Sequence, residues 1–125
     1  MGTKPNGKKM RAFDTGATRD TSTGKLSYVK GLSPIVLKCY LQYLDKHRVQ
    51  SDGNLREFDN WKSGIPQEVY LDSLGRHFIS VWLLAQGFTD EDNYGPVTMK
   101  EALCALIFNA SGYLHELLVK GDDDG

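Results

Sequence analysis

Thr98-Met99-Lys100-Glu101-Ala102-Leu103-Cys104-Ala105-Leu106-Ile107-Phe108-Asn109-Ala110-Ser111-Gly112-Tyr113-Leu114-His115-Glu116-Leu117-Leu118-Val119 is the stretch on which the reading of the fold turns. Thr98 and Glu101 have the spacing of a capping box, so a helix starts there. It runs to about Val119, with Gly121 just beyond. Leu103, Leu106, Ile107, Phe108, Ala110, Leu114, Leu117 and Leu118 make it apolar around most of its circumference. A helix apolar all round is buried on several sides. More apolar surface is present than two partner helices can cover, which predicts a homo-oligomer. Asn109 lies about 130° from the centre of the aliphatic face. Its neighbours there are Ala102, Ala105, Gly112, Tyr113 and Glu116, a narrow strip of small and polar residues. If assembly buries that strip, the amide needs partners, because leaving it unpaired costs about 1–3 kcal/mol. Asn109 is then either a structural asparagine bonding across a subunit interface or a ligand-facing one.

Working back along the chain, two more helices are legible. Ser33-Pro34 is a start signal, with Ser as N-cap and Pro at the first helical position. Val36, Leu37, Tyr40, Leu41 and Leu44 follow at helical spacing. Pro66 opens the next helix, with apolar residues at Tyr70, Leu71, Leu74, Phe78, Val81, Trp82 and Ala85, and Gly87 stops it. The expectation is an all-α fold. It has a three-helix core at 34–48, 66–86 and 98–119, an extended N-terminal arm, and assembly into an oligomeric helical bundle. Residues 49–65 and 87–97 are long connections. Residues 1–12 read as a disordered basic tail, 13–119 as a single helical domain, and 120–125 as a disordered acidic tail.

Bulk properties bound the function. A chain of 125 residues is one domain. A net charge of -1 gives no whole-molecule attraction to nucleic acid or to membranes. Lys4, Lys8, Lys9 and Arg11 make one end basic, and Asp122, Asp123 and Asp124 make the other acidic. Such tails are ordinarily solvated. No apolar run follows the charged start, so no secretory leader is expected. No stretch reads as the ~20 apolar residues of a membrane span. Cys39 and Cys104 both sit in apolar helical patterns and read as reduced core thiols of a cytoplasmic protein.

Some polar residues stand out against this background. The apolar stripe of the second helix spans about 120° from Tyr70 to Trp82, and His77 falls about 20° outside it. His77 is therefore at the margin of the core, beside Ser73 and Ser80, as a satisfied core histidine or a pocket residue. Arg76 lies much further round. Asp90, Glu91 and Asp92 are the densest interior acidic cluster. They supply the oxygen ligands that Mg²⁺ requires, or are simply a solvated loop. Glu101 is explained by the capping box. Trp61, in a polar loop, offers either a stacking surface for a base or an anchor for the loop. Arg19 and Lys25 flank Ser22-Thr23-Gly24, a basic arm of the kind that wraps phosphates. It lacks the spacing and following helix of a Walker loop.

Taken together these signatures resemble the dATP/dGTP diphosphohydrolase domain found mostly in bacteriophages, grouped with the all-α MazG-like nucleotide pyrophosphatases. Gly16, Ala17, Arg19, Asp20, Gly24, Lys25 and Tyr28 match its arm. Asn60, Trp61 and Gly64 match its Asn-Trp-x-x-Gly loop. Ser73, Arg76 and His77 match its Ser-x-x-Arg-His helix, and Asn109 falls on its third-helix asparagine. The resemblance covers roughly Phe13 to Leu118. It implies Mg²⁺-dependent cleavage of a purine deoxynucleoside triphosphate to monophosphate and pyrophosphate, in the cytoplasm of an infected bacterium. Arg19, Lys25 and Arg76 would bind phosphates. Asn60 and Trp61 would shape the base pocket. Glu91, Asp92 and Glu101 would hold Mg²⁺, and His77 and Asn109 would position water or substrate. Departures are also visible. Ala102 to Ala105 stand where family members commonly carry histidine, the Glu-x-x-Glu pair is absent, and the connection from His47 to Asp59 is longer than usual. A non-catalytic nucleotide-binding module, or a phage-type interaction factor that keeps only the scaffold, is the alternative.

Overall fold

The computed structural model describes residues 10–20 and 24–121. Lys4, Lys8, Lys9, Ser22, Thr23 and Asp122 to Asp124 lie outside the described residues. The described chain is mostly helical with little strand, in the order β1 (Met10–Ala12), β2 (Thr18–Asp20), α1 (Tyr28–Gly31), α2 (Pro34–Lys46), α3 (Gln67–Ala85), β3 (Glu91–Asp92), β4 (Gly95–Pro96) and α4 (Met99–Val119). It divides into two compact units, Met1–Ser33 and Pro34–Gly125. That boundary falls inside the 13–119 segment that the sequence presents as one domain.

In the first unit, β1 and β2 pair antiparallel with Arg11 opposite Arg19. Residues 10–12, placed by the sequence in a tail, therefore form one arm of a hairpin. Its turn is closed by the Phe13 amide on the Ala17 carbonyl at 3.0 Å and by the Gly16 amide on the Phe13 carbonyl at 2.9 Å. Gly16 has φ 92°, a left-handed conformation that glycine adopts without a Cβ penalty. Ser27 caps the single turn α1, its hydroxyl accepting from the Lys30 amide at 3.2 Å.

In the second unit, α4 packs against α3 and, less extensively, against α2. The Thr98 hydroxyl caps α4 by accepting from the Glu101 amide at 3.2 Å. Gly87, at φ 90°, terminates α3, with the Phe88 amide returning to the Leu83 carbonyl at 2.9 Å. The connection from α2 to α3 is not formless. It holds an antiparallel bridge between Val49 and Leu55 and a short 3₁₀ helix at Asn60–Ser63.

The inner face of α4 is the small-residue strip. Ala102, Ala105, Asn109, Gly112 and Glu116 are buried, in steps of three and four residues. Leu103, Leu114 and Leu118 are 44%, 55% and 60% exposed. From the sequence that strip is buried by assembly or faces a ligand. Here it is buried within the chain. The physical reason is size: a seam of Ala and Gly lets two helix backbones approach closely, and the space is filled from α3. The Tyr70 ring lies over Gly112 so tightly that a Cβ there would come within 2.5 Å of its atoms. Tyr70 is 1% exposed. Length and composition also make α4 long and apolar enough to cross a membrane, with a third of the tested window buried in the fold. No such stretch is expected from the sequence.

Cys39 on α2 and Cys104 on α4 are free thiols with their sulfurs 3.9 Å apart. Burial, then the Cys39 thiol, pushes Cys104 up to about 11, so it is protonated at neutral pH.

Candidate functional site

A cleft of about 260 Å³ opens beside the α3–α4 seam. Asn60 and Trp61 enter it from the 3₁₀ helix, Ser73 and His77 from α3, and Asn109 from α4. These residues come from three separate segments, and all lie at positions that carry the resemblance. They reach one cleft because Ser73 and His77 are one helical turn apart and Asn109 lies on the seam facing α3.

His77 is half-buried, and its ring makes no hydrogen bond with a described residue. Burial and then the Arg76 charge lower its pKa, while Asp92 opposes them. The imidazole is thus held neutral, as an acceptor or base must be. Asn109 is buried and donates from Nδ2 to the Ala105 carbonyl at 2.8 Å. That bond pins the side chain while its Oδ1 takes no partner from the described protein. Trp61 packs edge-on against His115 at 4.9 Å between centroids, with Lys62 Nζ 5.5 Å over its ring. It is therefore held to α4 as well as lining the cleft.

Several cleft residues carry no signal in the linear pattern. His47 stacks between Tyr43, at 4.4 Å, and Tyr94, at 4.9 Å. Its pKa is lowered by burial first and by Lys46 next, with Glu101 and Asp92 opposing. Arg48, Arg56 and Phe58 line the wall made by the long α2–α3 connection. Lys46, His47 and Arg48 stand at the C-terminal end of α2, where cations suit the helix dipole, and the bridge Val49–Leu55 holds the connection that follows them.

The acidic residues separate into different settings. Asp90 docks the β3–β4 hairpin on α3, its Oδ2 accepting from the Ser80 hydroxyl at 2.6 Å. Glu91 is exposed on β3. Asp92 and Glu101 line a second, small cavity of about 40 Å³ that also touches His47 and His77. Asp92 Oδ1 accepts from the Tyr94 amide at 2.8 Å, which shapes the hairpin turn. Glu101 pairs with the Lys46 ammonium, and that bond, ahead of any other cause, holds its carboxyl below the usual range. Among the described residues no three His, Cys, Asp or Glu groups are arranged to hold a metal. Glu91 does not line the small cavity that Asp92 and Glu101 share, and Glu101 is paired there with the Lys46 ammonium.

Arg76 points along the surface of α3, paired with Asp72 at 3.2 Å and donating to the Ser73 hydroxyl at 2.9 Å. Arg19 and Lys25 are exposed residues of the first unit. No family model matches the chain, and no curated protein or solved structure matches it either.

Proposed function

We propose that the cleft binds a purine deoxynucleoside triphosphate and that the chain hydrolyses it to monophosphate and pyrophosphate in the presence of Mg²⁺. The observation that supports this reading is the convergence of Asn60, Trp61, Ser73, His77 and Asn109, all positions that carry the resemblance, on one cleft. Trp61 offers an aromatic surface to a base. Neutral His77 accepts a proton from water or orients it, and Asn109 offers a fixed carbonyl oxygen. Mg²⁺ would neutralise phosphate charge. Asp92 and Glu101 are the carboxylates that share the small cavity with His47 and His77, and Lys46 must leave Glu101 for that carboxylate to take part.

A second reading has its own observation. The Lys46–Glu101 pair supplies a resident cation where metal chemistry would need an uncommitted carboxylate. It favours a module that binds the nucleotide without turning it over. One assay separates the two. Incubation with dATP or dGTP, with and without Mg²⁺, is followed for monophosphate and pyrophosphate, and binding is measured in parallel. Mg²⁺-dependent release of both products supports the enzyme. Binding without products supports the module, and absence of binding rejects both.

The proposal extends to assembly. The helices α2, α3 and α4 make a three-helix core, and the exposed aliphatic face of α4 packs on a second copy in an oligomeric bundle. The support is the exposure of Leu103, Leu114 and Leu118 on one side of α4, together with Phe78 and Trp82 at 49% and 56% on α3. Light scattering at micromolar concentration tests it, and a monomer mass alone counts against it.

A further inference from the structure

We propose that Arg48 and Arg56, on the connection after α2, form the phosphate-binding end of the cleft. This rests on the nucleotide reading and deepens it by naming where the anion sits. Backbone structure holds the two residues side by side on one wall of the cleft. The Arg56 amide donates to the Arg48 carbonyl at 2.8 Å, and Arg48 Nε donates back to the Arg56 carbonyl at 2.8 Å. The bridge between Val49 and Leu55 and the turn closed by the Gln50 amide on the Asn54 carbonyl at 2.8 Å hold the loop between them. Arg48 is also seated 4.7 Å over the Phe58 ring. Its side chain is 23% exposed, and among the described residues its ion pair is with Asp45, an exposed carboxylate at 3.1 Å. Such a pair contributes little and yields readily to a stronger anion.

Arg56 supplies the free charge. Its guanidinium makes no hydrogen bond or ion pair with a described residue, although it lines the cleft. Among the Lys, Arg, Asp and Glu side chains on that wall, two guanidiniums face one carboxylate, Glu57. Arg48 is balanced by the exposed Asp45, and the guanidinium on that wall left without an ion pair among the described residues is that of Arg56. The planar fork of Arg matches a phosphate through paired N–H donors. A prepositioned Arg48 loses little side-chain entropy on binding. Arg76, which the resemblance makes a phosphate ligand, is instead committed to Asp72 and Ser73 on the surface of α3. The arginine pair lies in the connection whose length departs from the family pattern, so it belongs to this chain's own loop.

Calorimetric titration of the full chain with inorganic triphosphate, dATP and deoxyadenosine tests the proposal. The variants are Arg56→Met, Arg48→Met, Arg76→Gln and, on the outer surface of α2, Lys38→Gln. Arg56→Met is expected to weaken inorganic triphosphate and dATP by about tenfold or more, while deoxyadenosine binding is unchanged. Because the Arg56 side chain holds nothing in the fold, its variant keeps the native circular dichroism and Tm. Arg56→Lys is expected to recover part of the affinity. Lys38→Gln is expected to bind as the native chain does, and Arg76→Gln, which frees the Ser73 hydroxyl at the cleft, to lose less affinity than Arg56→Met. Triphosphate binding that depends on Arg56, with dATP no tighter than triphosphate, supports the arginine site and rejects the nucleotide reading. Binding of dATP that is insensitive to Arg48 and Arg56, or lost on Arg76→Gln instead, overturns the arginine site and leaves the nucleotide reading intact. Failure of every ligand to bind overturns both.

Discussion

The two sides of α4 follow different rules. The inner side is small and partly polar: Ala102, Ala105, Asn109, Gly112 and Glu116, all buried. The outer side is large and aliphatic, and Leu103, Leu114 and Leu118 stand on it more than two-fifths exposed. Hydrophobicity alone would turn this helix around. What orients it is close packing. A backbone-to-backbone approach against α3 needs side chains without bulk, and the ring of Tyr70 then occupies the volume that Gly112 leaves. Dispersion contacts in a dense seam can outweigh the larger transfer energy available to leucines. In the proposed oligomer these leucines pack on a second copy of the chain. The seam also explains the site. Because Asn109 belongs to the small strip, a polar side chain is carried to the edge of the core, where the cleft opens.

The largest effect that would break this comparison is at Gly112. A Gly112→Val chain forces the Tyr70 ring out of its place. It is expected to lose about 3 kcal/mol or more in urea unfolding, the upper range for overpacking. Leu114→Ala, on the outer side, is expected to cost under about 0.5 kcal/mol in the isolated subunit, as exposed substitutions do. The reverse ranking would mean that the faces have been assigned the wrong way round.

The outer face is sharpened by charge. Leu114→Lys with Leu118→Lys is expected to leave helicity intact and to weaken self-association by roughly 2 kcal/mol or more, from two leucines no longer buried between copies. Sedimentation of the native and doubly substituted chains reads this directly. An unchanged mass distribution removes the aliphatic face from the proposed interface.

A smaller effect lies at the cleft edge of the inner face. His77 and His47 both have pKa values lowered, mainly by burial. In acid the unfolded chain therefore binds protons that the folded chain resists. Stability is fully present above about pH 6.5, the unfolded histidine value, and falls as pH drops below it. The Tm is expected to be lower at pH 5.5 than at pH 7.5, with His77→Gln and His47→Gln each reducing the difference. A Tm that rises on acidification would show these rings to be stabilised as cations. The Lys46–Glu101 pair acts in the same direction only at lower pH, as Glu101 protonates below its already lowered pKa.

Much of the helical framework could be read from the sequence. The three long helices lie within two residues of 34–48, 66–86 and 98–119, because Pro34, Pro66 and Thr98 mark starts and Gly87 marks a stop. Periodicity locates a stripe but does not say whether bulk or closeness decides its partner, so the inner face of α4 was not legible. The cleft was legible in part. Trp61, His77 and Asn109 stood out because each is a polar or aromatic residue out of keeping with its local pattern, while Asn60 entered only through the resemblance. Arg48, Arg56, Phe58 and Tyr94 did not stand out. Each is unremarkable in a loop or at a helix end, and only the bridge Val49–Leu55 and the β3–β4 hairpin bring them to the cleft. The commitment of Glu101 to Lys46 joins residues 46 and 101 on different helices, a pairing that no local rule reaches.

The finest test is at the centre of the seam. Tyr70 Oη is fully enclosed and has no hydrogen-bond partner, alone among the buried side-chain polar atoms of the described residues. Burial, with the Glu116 charge behind it, raises its pKa, so the hydroxyl stays neutral. Glu116 is itself buried, and its ion pair is with Lys120 at 3.5 Å. The tyrosine ring is thus needed for its volume over Gly112, while its hydroxyl has been desolvated with nothing in return. Leaving such a group unpaired costs about 1–3 kcal/mol, whereas removing it from a cavity of unchanged shape is nearly neutral or stabilising. Tyr70→Phe is therefore expected to keep or raise stability, by up to about 1 kcal/mol, and Tyr70→Ala to lose about 3–5 kcal/mol as large aromatic truncations do. A clear loss in the phenylalanine chain would show that the hydroxyl has a partner in solution, with Glu116 or an enclosed water the nearest means. The seam would then be held by a polar contact as well as by close packing.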